Sequence, residues 1–100
     1  RAVVAMSRRE LPVQFAARGG GRCNGLLADR GTAVAVVACH PWGPLGGSMF
    51  DLVVEEVVGL FGDRGGVTTL RFNFRSGIGT GKASADDVRG ACGHLLHKLP

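Results

Sequence analysis

The sequence predicts an α/β fold in which helices pack on a largely parallel sheet. Three observations support this. Residues 33–39 form an unbroken apolar run, residues 67–74 form an alternating one, and each run is followed by a segment with helical spacing of apolar residues. Strands that alternate with helices are typical of parallel crossovers. The 100 residues, 45% of them hydrophobic, suffice for one small domain. The expected element order is β-β-β-α-β-α.

Residues 1–30 are interpreted as basic N-terminal strands or an extension. Leu11, Val13 and Phe15 alternate as in a half-buried strand, and a second strand over 23–28 follows the turn at 19–21. We expect a pair of edge strands whose arginines face water. Six arginines against two carboxylates give this stretch all of the +4 net charge. Binding of nucleic acid or phosphate surfaces, or organelle targeting, are alternatives, but aromatic interleaving and serine richness are missing.

The run from Ala33 to Cys39 is apolar and partly β-branched, which predicts a central strand covered on both faces. A helix should follow the loop at 40–47. Ser48 with Asp51 forms a capping-box start, and Gly62 or Gly65 is a plausible stop. The apolar stripe of this helix comprises Phe50, Val53, Val54, Val57, Val58 and Phe61.

Residues 67–74 predict a second internal strand, with Leu70, Phe72 and Phe74 on one face. A glycine-rich loop over 75–82 leads to a closing helix, for which Ser84 and Asp87 form a second capping box. The apolar stripe of the closing helix comprises Val88, Ala91, Cys92, Leu95, Leu96 and Leu99.

Open α/β sheets bind ligands at the carboxyl ends of their strands, where the loops at 40–47 and 75–82 lie. The second loop fits no phosphate-binding template. A P-loop would need glycine where Ser76 stands and Ser or Thr where Ala83 stands, and a dinucleotide fingerprint would need glycine at Lys82. The sequence therefore gives little support to nucleotide binding.

Two segments at this edge carry a family resemblance. Residues 40–49 read HPWGPLGGSM, and residues 72–79 read FNFRSGIG. Together they resemble the oxyanion loop and the following strand end of α/β-hydrolases, in the dienelactone-hydrolase-like branch. Ser76 departs from the pattern, since a glycine is usual there. The resemblance covers residues 31–100 and implies the N-terminal half of an α/β-hydrolase domain, an incomplete sheet truncated before the nucleophile elbow.

The resemblance also implies roles for particular residues. The backbone N–H of Trp42 would donate to the oxyanion that forms during acyl transfer. His40 would brace the loop rather than act as the base, and His40, Gly43 and Arg75 are the candidate binding residues. Arg75 could contact a substrate carboxylate or phosphate, or it could tie loops together. Both roles stay open.

The chain contains no Gly-x-Ser-x-Gly nucleophile elbow, because Phe50 follows Ser48 where glycine would be needed. In the family, the nucleophile, acid and base come later in the chain. The predicted function is hydrolysis of an ester, thioester or amide, with no turnover by these 100 residues alone and no cofactor or metal. The alternative is a non-catalytic or truncated protein of this fold that binds an anionic ligand at the glycine-rich strand edge.

Other reactive groups are interpreted as structural. Cys39 beside His40 is expected to be a buried cysteine, since neighbours in a strand point to opposite faces. His94 and His97, near Cys92, are expected on a solvated helix face rather than in a zinc site. Three carboxylates are expected to be surface charges, namely Asp51, Glu55 and Glu56.

Three cysteines, an odd number without tight spacing, favour a reducing intracellular compartment, with the cytoplasm expected and organelle targeting as the alternative. No apolar run approaches the roughly 18 residues of a membrane span. The expected partner is a small ester or acyl substrate, with neither nucleic acid nor membrane. Self-association through an open sheet edge is also expected.

Overall fold

The computed structural model describes residues 8–40, 47–75 and 81–99. In these ranges β1 (Leu11–Ala16) and β2 (Arg22–Ala28) are followed by β3 (Ala35–Ala38). Helix α1 (Leu52–Val58) continues as a π-helical turn over Gly59–Arg64, and β4 (Thr68–Phe72) and α2 (Gly81–Leu96) complete the order. The predicted α/β class and β-β-β-α-β-α order are confirmed. Neither helix in the described ranges has both the length and the hydropathy needed to cross a membrane.

The four strands form one sheet in the order β1-β2-β4-β3. The β1–β2 and β2–β4 pairs are antiparallel, and β3 pairs with β4 in parallel. The expectation that β3 is the central strand is wrong for this sheet. Here β3 lies at an edge, while β4 lies inside the sheet with all five residues buried. The apolar run was longer than the strand, and Val34 before it is 68% exposed.

The hairpin of β1 and β2 forms where the sequence predicts it. Its turn contains Gly19, Gly20 and Gly21, all with positive φ, a conformation that other residues rarely adopt. Of the two hairpin strands only β1 is an edge strand, because β2 pairs with β4 on its other side. The strands of the basic N-terminal stretch thus belong to the same sheet as the rest of the chain.

Helix α2 packs against the sheet through an apolar core. The rings of Phe15 and Phe72 meet edge to face with centroids 5.3 Å apart, and Ala91 and Leu95 of α2 are buried beside them. The predicted start of this helix at Ser84 is wrong, because α2 already begins at Gly81. The buried core of this face comprises Phe15, Ala17, Cys23, Leu27, Leu70, Phe72, Ala91 and Leu95.

Helix α1 begins after Asp51, whose carboxylate accepts the N–H of Val53 at 2.9 Å. Ser48 is therefore not the cap; its hydroxyl accepts the N–H of Phe50. The helical segment ends at Gly65, one of the two predicted stops. Of its predicted stripe only Val54 and Val58 are buried, while three members are exposed: Phe50, Val53 and Phe61.

A network of ion pairs joins α1 to the sheet. The guanidinium of Arg71, on β4, donates to both oxygens of Glu10 at 2.6 and 2.7 Å and to Glu55 of α1 at 2.6 Å. Arg8 links Glu55 to Asp63. The network comprises Arg8, Glu10, Arg30, Glu55, Asp63 and Arg71.

Two expectations are corrected by this network. Glu55 is not a surface charge, because two arginines bind its carboxylate. Arg8 and Arg30 do not simply face water: their side chains are 27% and 9% exposed, and both bind Asp63. The arginines balance carboxylates that lie far away in the sequence, so the pairing could not be found from local spacing.

Candidate functional site

The ends of β3 and β4 meet at the carboxyl edge of the sheet. His40 follows β3, and its Nε2 accepts the backbone N–H of Phe74 at 3.0 Å. The two rings also touch edge to face, with centroids 4.9 Å apart. An Nε2 that accepts a hydrogen bond belongs to a neutral imidazole protonated at Nδ1. In this arrangement Nε2 is engaged with the backbone and is not available as a general base.

Asn73 holds the segment before α1 at the same edge. Its Oδ1 accepts the backbone N–H of Met49 at 2.8 Å, and its own N–H donates to the carbonyl of Asn24 on β2 at 3.0 Å. Arg71 adds a hydrogen bond to the carbonyl of Met49 at 3.2 Å. Both flanks of the segment 41–48 are therefore attached to the two residues that follow β4, His40 to Phe74 and Met49 to Asn73.

Arg75 joins the end of β4 to α2 and to the hairpin turn. Its backbone N–H and its Nε donate to the two oxygens of Asp87, and its Nη1 donates to the carbonyl of Gly20 at 2.6 Å. Asp87 is 1% exposed. The predicted capping role of Asp87 is thus wrong, since it lies within α2 and serves Arg75. The geometry is that of the loop-tying role, while the substrate-binding role of Arg75 stays a prediction.

Two predicted site residues, Trp42 and Gly43, lie outside the described residues, as does Ser76 of the glycine-rich loop. The described residues of the site are therefore those on either side of the segment 41–48 and those that bind them. The sequence pattern included Asn73 within the FNFR run without assigning it a role. A polar residue directly after a buried strand is the signal that points to it.

The remaining reactive groups are dispersed. Cys39 is exposed, so its expected burial is wrong. Cys23 is buried, and desolvation, reinforced by the negative charge of Asp87, raises the pKa of its thiol to about 11. Within residues 8–40, 47–75 and 81–99, no three His, Cys, Asp or Glu side chains are grouped so that they could hold a metal ion.

Several solved structures have an architecture similar to that of this chain. An α/β serine hydrolase without a lid from Xanthomonas campestris is 25% identical and matches 92% of this chain with a TM-score of 0.73. A protein of unknown function from Agrobacterium tumefaciens, described as a candidate α/β hydrolase, is 29% identical over 90% of the chain, also at 0.73. A Pyrococcus furiosus esterase shares the fold at 17% identity and a TM-score of 0.79.

The chain spans less than half of each of these proteins, namely 46%, 44% and 37% of their lengths. No protein-family model and no curated protein sequence matches it. The sheet order, the helices and the likeness to these structures agree with the family resemblance of residues 31–100. The chain is thus related to the α/β-hydrolase superfamily and has the fold of its N-terminal strands and helices.

Proposed function

We propose that this chain forms the oxyanion-loop part of a hydrolase that acts on an ester, thioester or amide. One observation carries the proposal: hydrogen bonds from the end of β4 hold both flanks of the segment 41–48, through His40 on one side and Met49 on the other. A preorganised backbone donor stabilises an oxyanion because it needs no reorganisation during the reaction.

Within this proposal, the donor is the backbone N–H of Trp42. His40 acts as a brace, since its Nε2 already accepts the N–H of Phe74. The nucleophile, the acid and the base come from polypeptide other than these 100 residues, because the sequence has no Gly-x-Ser-x-Gly elbow. The dienelactone-hydrolase-like branch and the intracellular, cytoplasmic setting remain part of the proposal.

The first experiment separates the catalytic proposal from a non-catalytic protein of this fold. The coding sequence beyond Pro100 is determined, and the encoded protein is treated with a fluorophosphonate probe. A strand with Gly-x-Ser-x-Gly whose serine is labelled supports the hydrolase. A stop codon directly after Pro100 supports the alternative of a protein that binds without turnover.

The second experiment addresses the donor. In the protein that carries the elbow, Trp42→Pro removes the backbone N–H, whereas Trp42→Phe retains it. We expect the proline variant to lose roughly 10²- to 10³-fold in kcat on p-nitrophenyl acetate, as when other oxyanion donors are removed. The phenylalanine variant should stay near the parent. Esterase turnover by the 100-residue chain itself, dependent on Trp42, would contradict the proposal.

A further inference from the structure

We propose that a pocket between β1 and α2 binds a small organic anion, an apolar group that carries a carboxylate or a phosphate. The pocket has a volume of about 430 Å³, within the range of small-molecule sites. It lies along β1, at the opposite edge of the sheet from β3 and His40. The proposal stands on its own residues and does not depend on the hydrolase function.

The charged residues that line the pocket are all basic. Arg18 follows β1, Arg89 belongs to α2 and His97 directly follows that helix, and no carboxylate is among the lining residues. Arg89 is 57% exposed, and its ion pair to Asp86 is long, at 3.6 Å. A guanidinium presents paired donors that match the oxygens of carboxylate and phosphate. The two arginines therefore favour an anion at the rim.

His94 supplies a polar atom that the described residues leave unsatisfied. Its Nε2 is buried and makes no hydrogen bond with any described residue. Burial, together with the neighbouring side chains of Lys98 and His97, disfavours the charged form of His94 and lowers its pKa below the ordinary value. A buried polar atom without a partner is costly. A bound ligand with a polar group would remove that cost.

Two glycines of α2 border the pocket and differ in their surroundings. A Cβ on Gly90 would lie 2.4 Å from the carbonyl oxygen of Ala16, so close packing accounts for this glycine. A Cβ on Gly93 would meet nothing within 4 Å. Glycine inside a helix costs about 1 kcal/mol relative to alanine. Packing does not explain Gly93, whereas the space beside it suits a ligand.

The interior of the pocket is apolar. The ring of Phe15 lies 5.8 Å from that of His94, tilted by 33°, and both residues line the pocket together with Ala16. An apolar interior below a basic rim favours a ligand that has both an apolar group and an anionic group. Inorganic phosphate would reach only the rim, and a neutral aromatic compound would reach only the interior.

The test uses phenyl phosphate as the probe, with benzoate in parallel to distinguish phosphate from carboxylate. Inorganic phosphate and benzyl alcohol are the controls that each lack one half of the ligand. Binding is followed through the imidazole NMR resonances of His94 in the 100-residue chain. We expect a saturable shift with phenyl phosphate or benzoate, and affinity at least roughly tenfold weaker for both controls.

Three variants locate the binding. Arg18→Gln should weaken it roughly tenfold, the amount that one charge-assisted hydrogen bond supplies. Arg22→Gln, which removes an exposed arginine that does not line the pocket, should bind as the parent does. Gly93→Leu fills the space and should abolish the shift, while its thermal unfolding shows that the fold is retained. Equal binding by the two arginine variants, or no shift with either anionic probe, would overturn the proposal.

Discussion

The two faces of β4 hold the two helices by different chemistry. Leu70 and Phe72 point to the α2 side and belong to a continuous apolar core. Thr69 and Arg71, on the alternate face, meet α1, where the apolar cluster is confined to Ala38, Val54 and Val58 with Val57 packed against it. On that side the ion pairs of Arg71 with Glu10 and Glu55 add directional contacts.

This difference shows how two helices of similar hydrophobic pattern can be attached to one strand. Apolar burial is non-directional and scales with area, so α2 is held by close packing. The ion pairs on the α1 face are directional and fix the helix through particular atoms, but each buried charge depends on its partner. On the α2 face, the free energy of unfolding should therefore fall when a buried side chain is shortened. On the α1 face, it should fall when one member of an ion pair is removed.

The largest expected effect is on the α2 face. Phe72→Ala removes a fully buried ring at the centre of the core and should lower the free energy of unfolding by about 4 kcal/mol. Urea unfolding followed by circular dichroism measures it. Leu11→Ala, at a side chain 69% exposed on β1, is the control and should change little. Similar losses in both variants would show that this core is not closely packed.

The next largest effect is expected when a buried carboxylate loses the arginine that pairs with it. Arg71→Met leaves the carboxylate of Glu10, 8% exposed, without its partner and should cost about 3 kcal/mol in the same measurement. Arg22→Met, at an exposed arginine on the neighbouring strand, should be nearly neutral. Adding Glu10→Leu and Glu55→Leu to Arg71→Met should recover most of the loss. Failure to recover it would mean that the arginine acts through packing rather than charge.

The pH dependence of stability follows from Glu55. Burial raises its pKa, but the hydrogen bonds and charges of Arg71 and Arg8 outweigh burial and lower the pKa below its ordinary value of 4.5. A carboxylate with a lowered pKa stabilises the fold above the unfolded pKa and loses this effect as the pH falls through the folded pKa. Unfolding measured from about pH 5 to 3 should therefore be less pH-dependent in Glu55→Gln.

The matched control for this experiment is the next residue in the helix. Glu56 is exposed, and no described ion pair involves it. Glu56→Gln should keep the pH profile of the parent chain. If both variants had the same profile as the parent, the ion pairs of Glu55 would contribute no measurable stability in solution.

The smallest effect concerns the outer surface of α1. Leu52 is 80% exposed, so Leu52→Lys should change the free energy of unfolding by no more than about 0.5 kcal/mol. The same change should reduce self-association, which we propose for the apolar side chains of α1 and the free edge of β3. Sedimentation velocity measures the association. A monomeric parent chain would contradict that proposal.

Hydrophobic spacing predicted the elements well where burial decides the structure. The positions of β1, β2 and β4, the presence of α2 and its buried residues Ala91 and Leu95 follow from the pattern, although Cys92 and Leu96 of the same predicted stripe are exposed. The place of β3 did not, because an apolar run indicates burial but not which strands will be its neighbours. Similarly, the capping-box pattern at Ser84 matched by spacing alone. In the structure the carboxylate of Asp87 accepts hydrogen bonds from Arg75, which follows β4.

The candidate site was only partly predictable for a related reason. The motif around His40 and the FNFR run lie at one edge of the sheet, as expected for segments that leave neighbouring strands. The hydrogen bonds that frame the site join residues distant in sequence, such as Asn73 with Met49 and Arg75 with Gly20. Local spacing carries no information about such partners. The family resemblance covers residues 31–100, so it includes Asn73 and Met49 but not Gly20.

The insertion of β4 between β2 and β3 has a consequence for folding kinetics. The hairpin of β1 and β2 closes over a few residues, but Gly25 must find Phe72 across nearly half of the chain. Closing such a long loop loses chain entropy before the strand pairing contributes any stabilising energy, and this slows folding. We expect the hairpin to form early and β4 to dock last, so that both helices acquire their partners in a single late step.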